Sequence, residues 1–99
     1  MNIKTINENG SVTIIPDGRI DTNTADSLGA GIHKISEAEH LILDLANVEY
    51  ISSAGIRQLL ILGKHADYLN ADFTIINTNS DVMNIFSLTG IDKKLNVVD

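Results

Sequence analysis

The sequence predicts an α/β fold, in which a mixed β-sheet of four to five strands carries about three helices packed on it. Short apolar runs alternate with helix-type patterns along the chain, and this alternation is typical of sheets with right-handed crossovers. The length of 99 residues suits one domain over residues 1–99, because a domain usually needs on the order of 100 residues. The predicted order of elements is β-β-α-β-α-β-α-β.

Composition excludes several classes of protein. Hydrophobic residues make up 43% of the chain and charged residues only 20%, which is not a disordered composition. The net charge of −6 argues against binding to a nucleic-acid backbone or an anionic membrane surface. The sequence has no cysteine, which excludes disulfides, thiolate metal sites and a cysteine nucleophile.

Targeting signals are not visible either. The N-terminal residues 1–5 lack the basic and apolar regions of a signal peptide. The longest apolar run, residues 59–62, is far shorter than the ~18 residues of a membrane span. We therefore expect a cytoplasmic protein without a membrane segment.

The N-terminal part is predicted to begin with a hairpin and a helix. A β-type run at 11–15 follows the Asn9-Gly10 turn signal, with residues 3–6 as its partner strand, and Pro16 indicates a turn or strand end. A helix is then predicted over residues 24–38, because residues 22–24 are N-cap types and an apolar face recurs at i, i+4 and i+7.

The rest of the chain alternates strands and helices. A near-continuous apolar run is typical of a strand buried on both faces, and serine, asparagine and glycine residues mark the helix ends. The predicted elements are a strand at 41–45, a helix from the serines at 52–53 to residues 70–72, a strand at 73–77, a helix after residues 79–81 that ends at Gly90, and a strand at 95–98.

Catalytic and cofactor motifs are weak or missing, so we expect a protein that is not an enzyme and holds no cofactor. His33, His40 and His65 are not spaced as metal ligands, and His33 and His65 are expected on helix surfaces. The Gly29-Ala30-Gly31 segment falls inside a predicted helix instead of a phosphate-binding loop. No Gly-x-Ser-x-Gly motif supports a hydrolase triad.

The strand–loop–helix corner from Asp44 to Ile56 is the candidate site. Ser52 and Ser53 fall at the predicted helix start, where a serine most often caps free backbone N–H groups. The alternative is that one serine caps and the other is exposed, so that a phosphate on it would lie at the positive end of the helix dipole. Asp21 either lies near this corner or is a solvated carboxylate at the start of the first helix.

Three stretches resemble the STAS domain family, and more narrowly the bacterial anti-sigma factor antagonists. The segment 44–56, DLANVEYISSAGI, resembles the family's central signature. Residues 18–21 resemble its Gly-x-Leu-Asp before the first helix, and residues 83–91 resemble its final helix. The three stretches occur in the family's order and spacing, so the resemblance covers essentially the whole chain.

The resemblance assigns roles to individual positions. The family's phosphorylated serine falls on Ser53, its preceding Asp on Ser52, its next hydroxyl residue on Ala54 and its glycine on Gly55. Ser52 supplies no negative charge beside the acceptor, so we expect kinase recognition to differ from the family's. Its hydroxyl makes Ser52 a second candidate acceptor, with Ser53 preferred. The expected partner-binding surface is formed by Asp21, Ser52, Ser53, Ala54, Gly55 and Ile56.

Two further expectations concern the surroundings of Ser53. Arg57 stands where the family often has glycine, and it either offers a cation to a phosphate or faces solvent. An exposed apolar patch near Ile51, Ala54 and Ile56 is expected to add binding area.

The function implied by the resemblance is partner switching. The unphosphorylated domain would bind an anti-sigma factor that is itself a serine kinase, and this would free the sigma factor. Phosphorylation of Ser53 would break the complex and a serine phosphatase would restore it. The protein would be a monomer when free and would bind no nucleic acid.

Two alternatives remain open at this level. The domain could be a structural STAS module of a larger signalling assembly, which size-exclusion chromatography would reveal as a large complex. It could also bind a small molecule or nucleotide, although no phosphate loop supports this.

Overall fold

The α/β fold is confirmed by the computed structural model, which describes residues 1–98. It contains one strand and one short helix more than the predicted order. The elements are β1 (Asn2–Glu8), β2 (Ser11–Ile20), α1 (Ala25–His33), β3 (His40–Asp44), β4 (Val48–Ile51), α2 (Ser53–Leu69), β5 (Asp72–Ile76), α3 (Ser80–Thr89), α4 (Ile91–Lys94) and β6 (Asn96–Val97).

The strands form one mixed sheet in the order β1-β2-β3-β5-β6, and β4 pairs with the far end of β2. β1 is antiparallel to β2, and the other pairs are parallel. From β2 to β3 to β5 the chain always moves in the same direction across the sheet. Right-handed crossovers therefore place α1 and α2 on the same face.

The core lies between this sheet face and the helices. Alternate residues of the central strands point into it and are almost fully buried, as alternation along a strand requires. Among them are Val12, Ile14, Leu41, Leu43 and Ile75, which are 0–3% exposed.

Pro16 does not end a strand, contrary to the sequence-based expectation. It lies inside β2 and pairs with Ile3 of β1. The irregularity lies further on, where Gly18 has a φ of +103° and the register shifts between Gly18 and Arg19. Residues 11–14 of β2 pair with β3, and residues 18–20 pair with β4. The glycine bulge therefore lies where β2 changes its pairing partner.

The first helix is shorter than predicted. α1 ends at His33 instead of continuing to residue 38. Ile35 packs its side chain against the core, and its carbonyl oxygen lies 2.7 Å from Nε2 of His65. The Ile35 carbonyl oxygen is therefore hydrogen-bonded to the His65 ring of α2 and does not accept a hydrogen bond from a further turn of α1. The chain turns towards β3 instead. His65 is partly buried, and its ring links α2 to the segment that follows α1. The prediction that it lies on the helix surface is wrong to that extent.

The other helix ends agree with the local signals. Asn70 ends α2 in a left-handed conformation with a φ of 58°. The Asn79 side chain accepts a hydrogen bond from the Val82 N–H over 2.8 Å at the start of α3, and Gly90 ends α3 with a φ of 78°. After Gly90 the chain makes one turn that buries Ile91, which leaves a shorter last strand than predicted.

Candidate functional site

The site forms where two parallel strands end side by side. Ile20 of β2 is paired with Ile51 of β4. The backbone N–H of Ser52 donates a hydrogen bond to the Ile20 carbonyl oxygen over 2.8 Å. Asp21 and Ser52 are therefore the next residues along two neighbouring strand ends, and the structure brings Asp21 to the serine corner.

Gly55 allows the first turn of α2 to approach these strand ends. A Cβ atom at this position would lie 2.6 Å from Cγ1 of Ile51 and 2.7 Å from Cγ2 of Ile20. It would also lie 3.1 Å from the Ile20 carbonyl oxygen. Only a residue without a side chain fits here, so Gly55 fixes how closely the helix start is seated on the sheet.

The two serines have different environments. Ser52 is the N-cap of α2, with extended backbone, and its Oγ accepts a hydrogen bond from the Gly55 N–H over 3.3 Å. Ser53 is the first residue of the helix and is exposed. One serine thus caps the helix while the other presents its hydroxyl to solvent beside the positive end of the helix dipole.

Asp21 organises the start of α1. Its Oδ1 accepts hydrogen bonds from the backbone N–H groups of Asn23, over 2.9 Å, and Thr24, over 3.1 Å. Partial removal from water raises the carboxyl pKa, but these two hydrogen bonds, one from the Thr24 hydroxyl and the charge of Arg19 together outweigh it. The pKa of Asp21 is therefore held below its usual value, and the group carries a negative charge at neutral pH.

The Thr24 hydroxyl completes this loop. Its Oγ1 accepts from the Asp21 N–H over 2.9 Å, and its one proton is shared between the Arg19 carbonyl oxygen at 2.6 Å and Oδ1 of Asp21 at 3.3 Å. Thr24 is the N-cap of α1 but makes no side-chain hydrogen bond to that helix. The carboxylate of Asp21 therefore combines both roles considered above: it stabilises the start of the helix and lies beside the serine corner.

A cation and an aromatic ring flank the corner, and the sequence reasoning did not single them out. The guanidinium carbon of Arg19 lies 4.4 Å from the ring centroid of Tyr50, a distance at which a cation–π interaction forms. The two residues face each other in the β2–β4 pairing. Only the register of β4 brings them together, so no local signal in the sequence could have identified the pair.

Arg57 provides a second cation. It is exposed and lies one helical turn after Ser53 on α2, where side chains at i and i+4 are neighbours. Within residues 1–98 the one ion pair joins Nδ1 of His40 to Oδ1 of Asp72 over 2.7 Å. Arg57 is thus not neutralised by a carboxylate of the described chain.

The expected apolar patch at the corner is wrong. Ile51 is 1% exposed and Ile56 is 8% exposed. Both are drawn into the core because Gly55 seats the helix start directly on the strand ends. Ala54 stays partly accessible, whereas Gly55 and Ile56 support the surface from beneath. The accessible part of the candidate surface is therefore mostly polar.

The described histidines are not part of a metal cluster, and the described helices are not membrane spans. The rings of His33 and His65 meet edge to face with centroids 6.3 Å apart. In residues 1–98 no three histidine, aspartate or glutamate side chains come together as a metal site. None of the helices over these residues has the length and apolarity that crossing a membrane requires.

With this geometry established, comparison with known proteins shows the family. The model of the STAS domain matches residues 2–99, and the chain belongs to the STAS domain family. The identification rests on nearly the whole chain, as the resemblance implied.

Solved structures share the fold. An anti-sigma factor antagonist from Mycobacterium paratuberculosis is 22% identical with a TM-score of 0.87, over 97% of this chain and 83% of that chain. A sulfate transporter family protein from Wolinella succinogenes is 17% identical with a TM-score of 0.81, over 93% and 79% of the two chains. The phosphorylated form of the Bacillus cell fate determinant SpoIIAA is 13% identical with a TM-score of 0.73, over 99% and 92%. At these identities the likeness establishes the shared fold.

Proposed function

We propose that this protein is an anti-sigma factor antagonist that is switched by phosphorylation of Ser53. The observation that carries the proposal is that the two adjacent serines have different environments. Ser52 is occupied as the cap of α2, and Ser53 is exposed on the first turn of the same helix. The family resemblance assigns the phosphorylated position to Ser53.

The local structure suits reversible phosphorylation. A phosphate at the first turn of α2 would be stabilised by the helix dipole and by the N–H groups of that turn. Ser53 is exposed and its neighbour Ser52 supplies the cap, so the modification leaves the capping hydrogen bond in place. The domain would remain folded in both states, as a switch requires.

The same phosphate would release a bound partner. It adds a charge of about −1.5 to −2 at pH 7. At an interface that excludes water, an unfavourable charge of this kind costs several kcal/mol, which corresponds to roughly 100-fold or more in affinity. The charge of the whole protein is already −6, so the effect would arise locally, from the position of the phosphate at the start of α2.

The partners follow from this mechanism. The unphosphorylated protein binds an anti-sigma factor that is a serine kinase, which sets the sigma factor free. The kinase phosphorylates Ser53 with ATP and the complex dissociates. A serine phosphatase then returns the protein to its binding form. In this scheme the protein is a substrate and a ligand, and it performs no catalysis.

Phosphotransfer with site mapping tests the proposal. The protein is incubated with its cognate anti-sigma factor kinase and ATP, and the modified residue is identified by mass spectrometry. We expect phosphate on Ser53, continued labelling of Ser52→Ala and loss of labelling in Ser53→Ala. Phosphate only at another residue would overturn the site assignment.

A binding measurement tests the proposed function independently of which residue is phosphorylated. The unmodified protein should bind the kinase, and the phosphorylated protein should bind at least about 100-fold more weakly. If the protein instead enters a large complex without binding any anti-sigma factor kinase, it is a structural module of an assembly and the proposed function is wrong.

A further inference from the structure

The sheet has a second face that lies away from α1 and α2. Its side chains alternate with those of the core, as neighbours along a strand must. In β2, Val12 and Ile14 are buried while Thr13 and Ile15 are partly exposed. We call this second surface the open face; its central side chains, all partly exposed, are Ile6, Thr13, Ile15, Ile42, Thr74 and Ile76.

Four isoleucines on the open face are separate from the core. Ile6, Ile15, Ile42 and Ile76 are absent both from the buried cluster and from the partly buried apolar side chains that pack against it. Each is β-branched and suits a strand, but partly exposed isoleucines on four adjacent strands form an apolar surface. Such a surface offers apolar contact area for association.

The strand register arranges this face around a central row. Ile6 is paired with Thr13, Thr13 with Ile42, and Ile42 with Thr74. The row therefore crosses β1, β2, β3 and β5 at right angles to the strands. Side chains two positions before and after each of these residues lie on the same face, on the two sides of the row.

Polar groups of different chemistry flank the central row, and the His40 imidazole among them hydrogen-bonds Asp72 of its own chain over 2.7 Å. Lys4 lies two residues before Ile6 in β1, and Glu8 lies two residues after it. In β3 the corresponding positions around Ile42 are occupied by His40 and Asp44. The open face is thus a band of isoleucine and threonine. In β1 a cation and a carboxylate lie on its two sides, and in β3 an imidazole and a carboxylate do.

We propose that two copies of this chain associate through their open faces, sheet against sheet, with the two-fold axis along the central row. A two-fold axis in this position exchanges the residues on the two sides of the row. Lys4 then faces Glu8 of the partner subunit, and His40 faces Asp44 of the partner subunit. The face is complementary to itself, which is what an isologous dimer requires.

The remaining carboxylate on this face also avoids repulsion. Asp72 lies two residues before Thr74 in β5, and Ile76 lies two residues after it. The same axis therefore places Asp72 opposite Ile76 of the partner subunit and not opposite another carboxylate. Ile6 and Ile42, which lie on the axis, meet their own counterparts.

The size of the face sets the strength of the association. Four strands about 4.8 Å apart and roughly five residues of about 3.3 Å each give a surface of roughly 300 Å² per copy. Stable interfaces usually bury about 800 Å² per partner. We therefore infer a transient dimer that forms at high concentration, with the monomer predominant in dilute solution.

The dimer is independent of the proposed switch. α2 lies on the covered face of the sheet, so two copies packed through their open faces leave Ser53 of both accessible. A dimer would present two antagonist sites at once. A Ser53→Asp variant should dimerise as the unmodified protein does, so the failure of one proposal leaves the other untouched.

Sedimentation velocity over a concentration series tests the inference. We expect monomer at about 10 μM and an increasing dimer fraction towards about 1 mM, as an interface of this size implies. Ile42→Lys places two like charges together on the axis and should abolish the dimer. Leu88→Lys is the matched control, because Leu88 of α3 is 86% exposed and lies outside the open face.

A charge exchange gives the sharper test. Lys4→Glu and Glu8→Lys each place like charges opposite one another, and each should weaken dimerisation by about tenfold or more. The double variant Lys4→Glu/Glu8→Lys restores opposite charges and should recover the association. Circular dichroism confirms that every variant is folded. A protein that stays monomeric at about 1 mM, or a double variant weaker than both single variants, would overturn the proposal.

Discussion

The backbone N–H of Ser52 donates a hydrogen bond to the carbonyl oxygen of Ile20 over 2.8 Å. This bond continues the β2–β4 pairing by one residue and holds the start of α2 against the strand end. It fixes the position of Ser52 so that its side chain can cap the helix, and it leaves Ser53 exposed on the first turn that follows. The geometry of the candidate switch thus originates in the sheet, and perturbing the seating of the helix should be measurable.

Gly55→Ala should destabilise the domain. Its new methyl group would lie less than 3 Å from side-chain atoms of Ile20 and Ile51, and overpacking of this kind costs about 1–3 kcal/mol. Gly31→Ala is the matched control, because the nearest atom to its methyl group would be Cδ1 of Ile3 at 3.9 Å. Alanine is the better helix former, so the control should gain up to about 1 kcal/mol. Urea unfolding measures both, and equal effects of the two substitutions would contradict this account of Gly55.

Ser52→Ala and Ser53→Ala should differ in stability. Ser52 is the N-cap and its Oγ accepts from the Gly55 N–H, so its removal should cost about 1 kcal/mol. Ser52→Asp retains the cap and should recover most of the loss. Ser53 is exposed, and its substitution should change the free energy of unfolding by less than about 0.5 kcal/mol. A larger loss for Ser53→Ala in chemical denaturation would mean that Ser53 is the capping residue.

Local signals were sufficient to predict much of this site, whereas its surface depended on contacts that are distant in sequence. A serine cap at position 52 or 53 follows from the serines before a helical pattern, and β3, the strand before this corner, follows from an apolar run. By contrast, the Arg19–Tyr50 contact exists only through the register of β4, a strand that the predicted order of elements lacks. The burial of Ile56 depends likewise on the close approach that Gly55 permits.

Asp21 should make stability sensitive to acid. Its pKa is lower in the folded protein than in the unfolded chain, mainly because the Thr24 and Asn23 backbone N–H groups stabilise the carboxylate against the effect of desolvation. The stabilisation is therefore present above the unfolded pKa and is lost as the pH falls through the folded value. Asp21→Asn should cost more stability at pH 7 than at pH 3. Unfolding curves at both pH values test this, and a cost that is independent of pH would refute it.

His40 should show the opposite pH dependence. Its hydrogen bond to Asp72 and the charge of that carboxylate raise the pKa of the imidazole. The stabilisation is therefore present below the unfolded pKa and is lost as the pH rises through the folded value. An NMR titration of His40 should give a lower pKa in Asp72→Asn. Because both groups are exposed, added salt should also reduce the difference. Identical titrations of the two proteins would show that the contact does not persist in solution.

Phosphorylated Ser53 should interact with Arg57. The two positions are one helical turn apart, and the Arg57 side chain is exposed. A nearby cation and the helix dipole both favour the doubly charged phosphate. The second pKa of the phosphate, followed by ³¹P NMR, should therefore be lower than that of phosphoserine in an unstructured peptide. Arg57→Gln should raise it part of the way towards the peptide value, because the dipole remains. Lys64→Gln is the control, since this residue of α2 is exposed and lies three turns from the helix start. If Arg57→Gln leaves the phosphate pKa unchanged, Arg57 faces solvent and takes no part in the phosphorylated state.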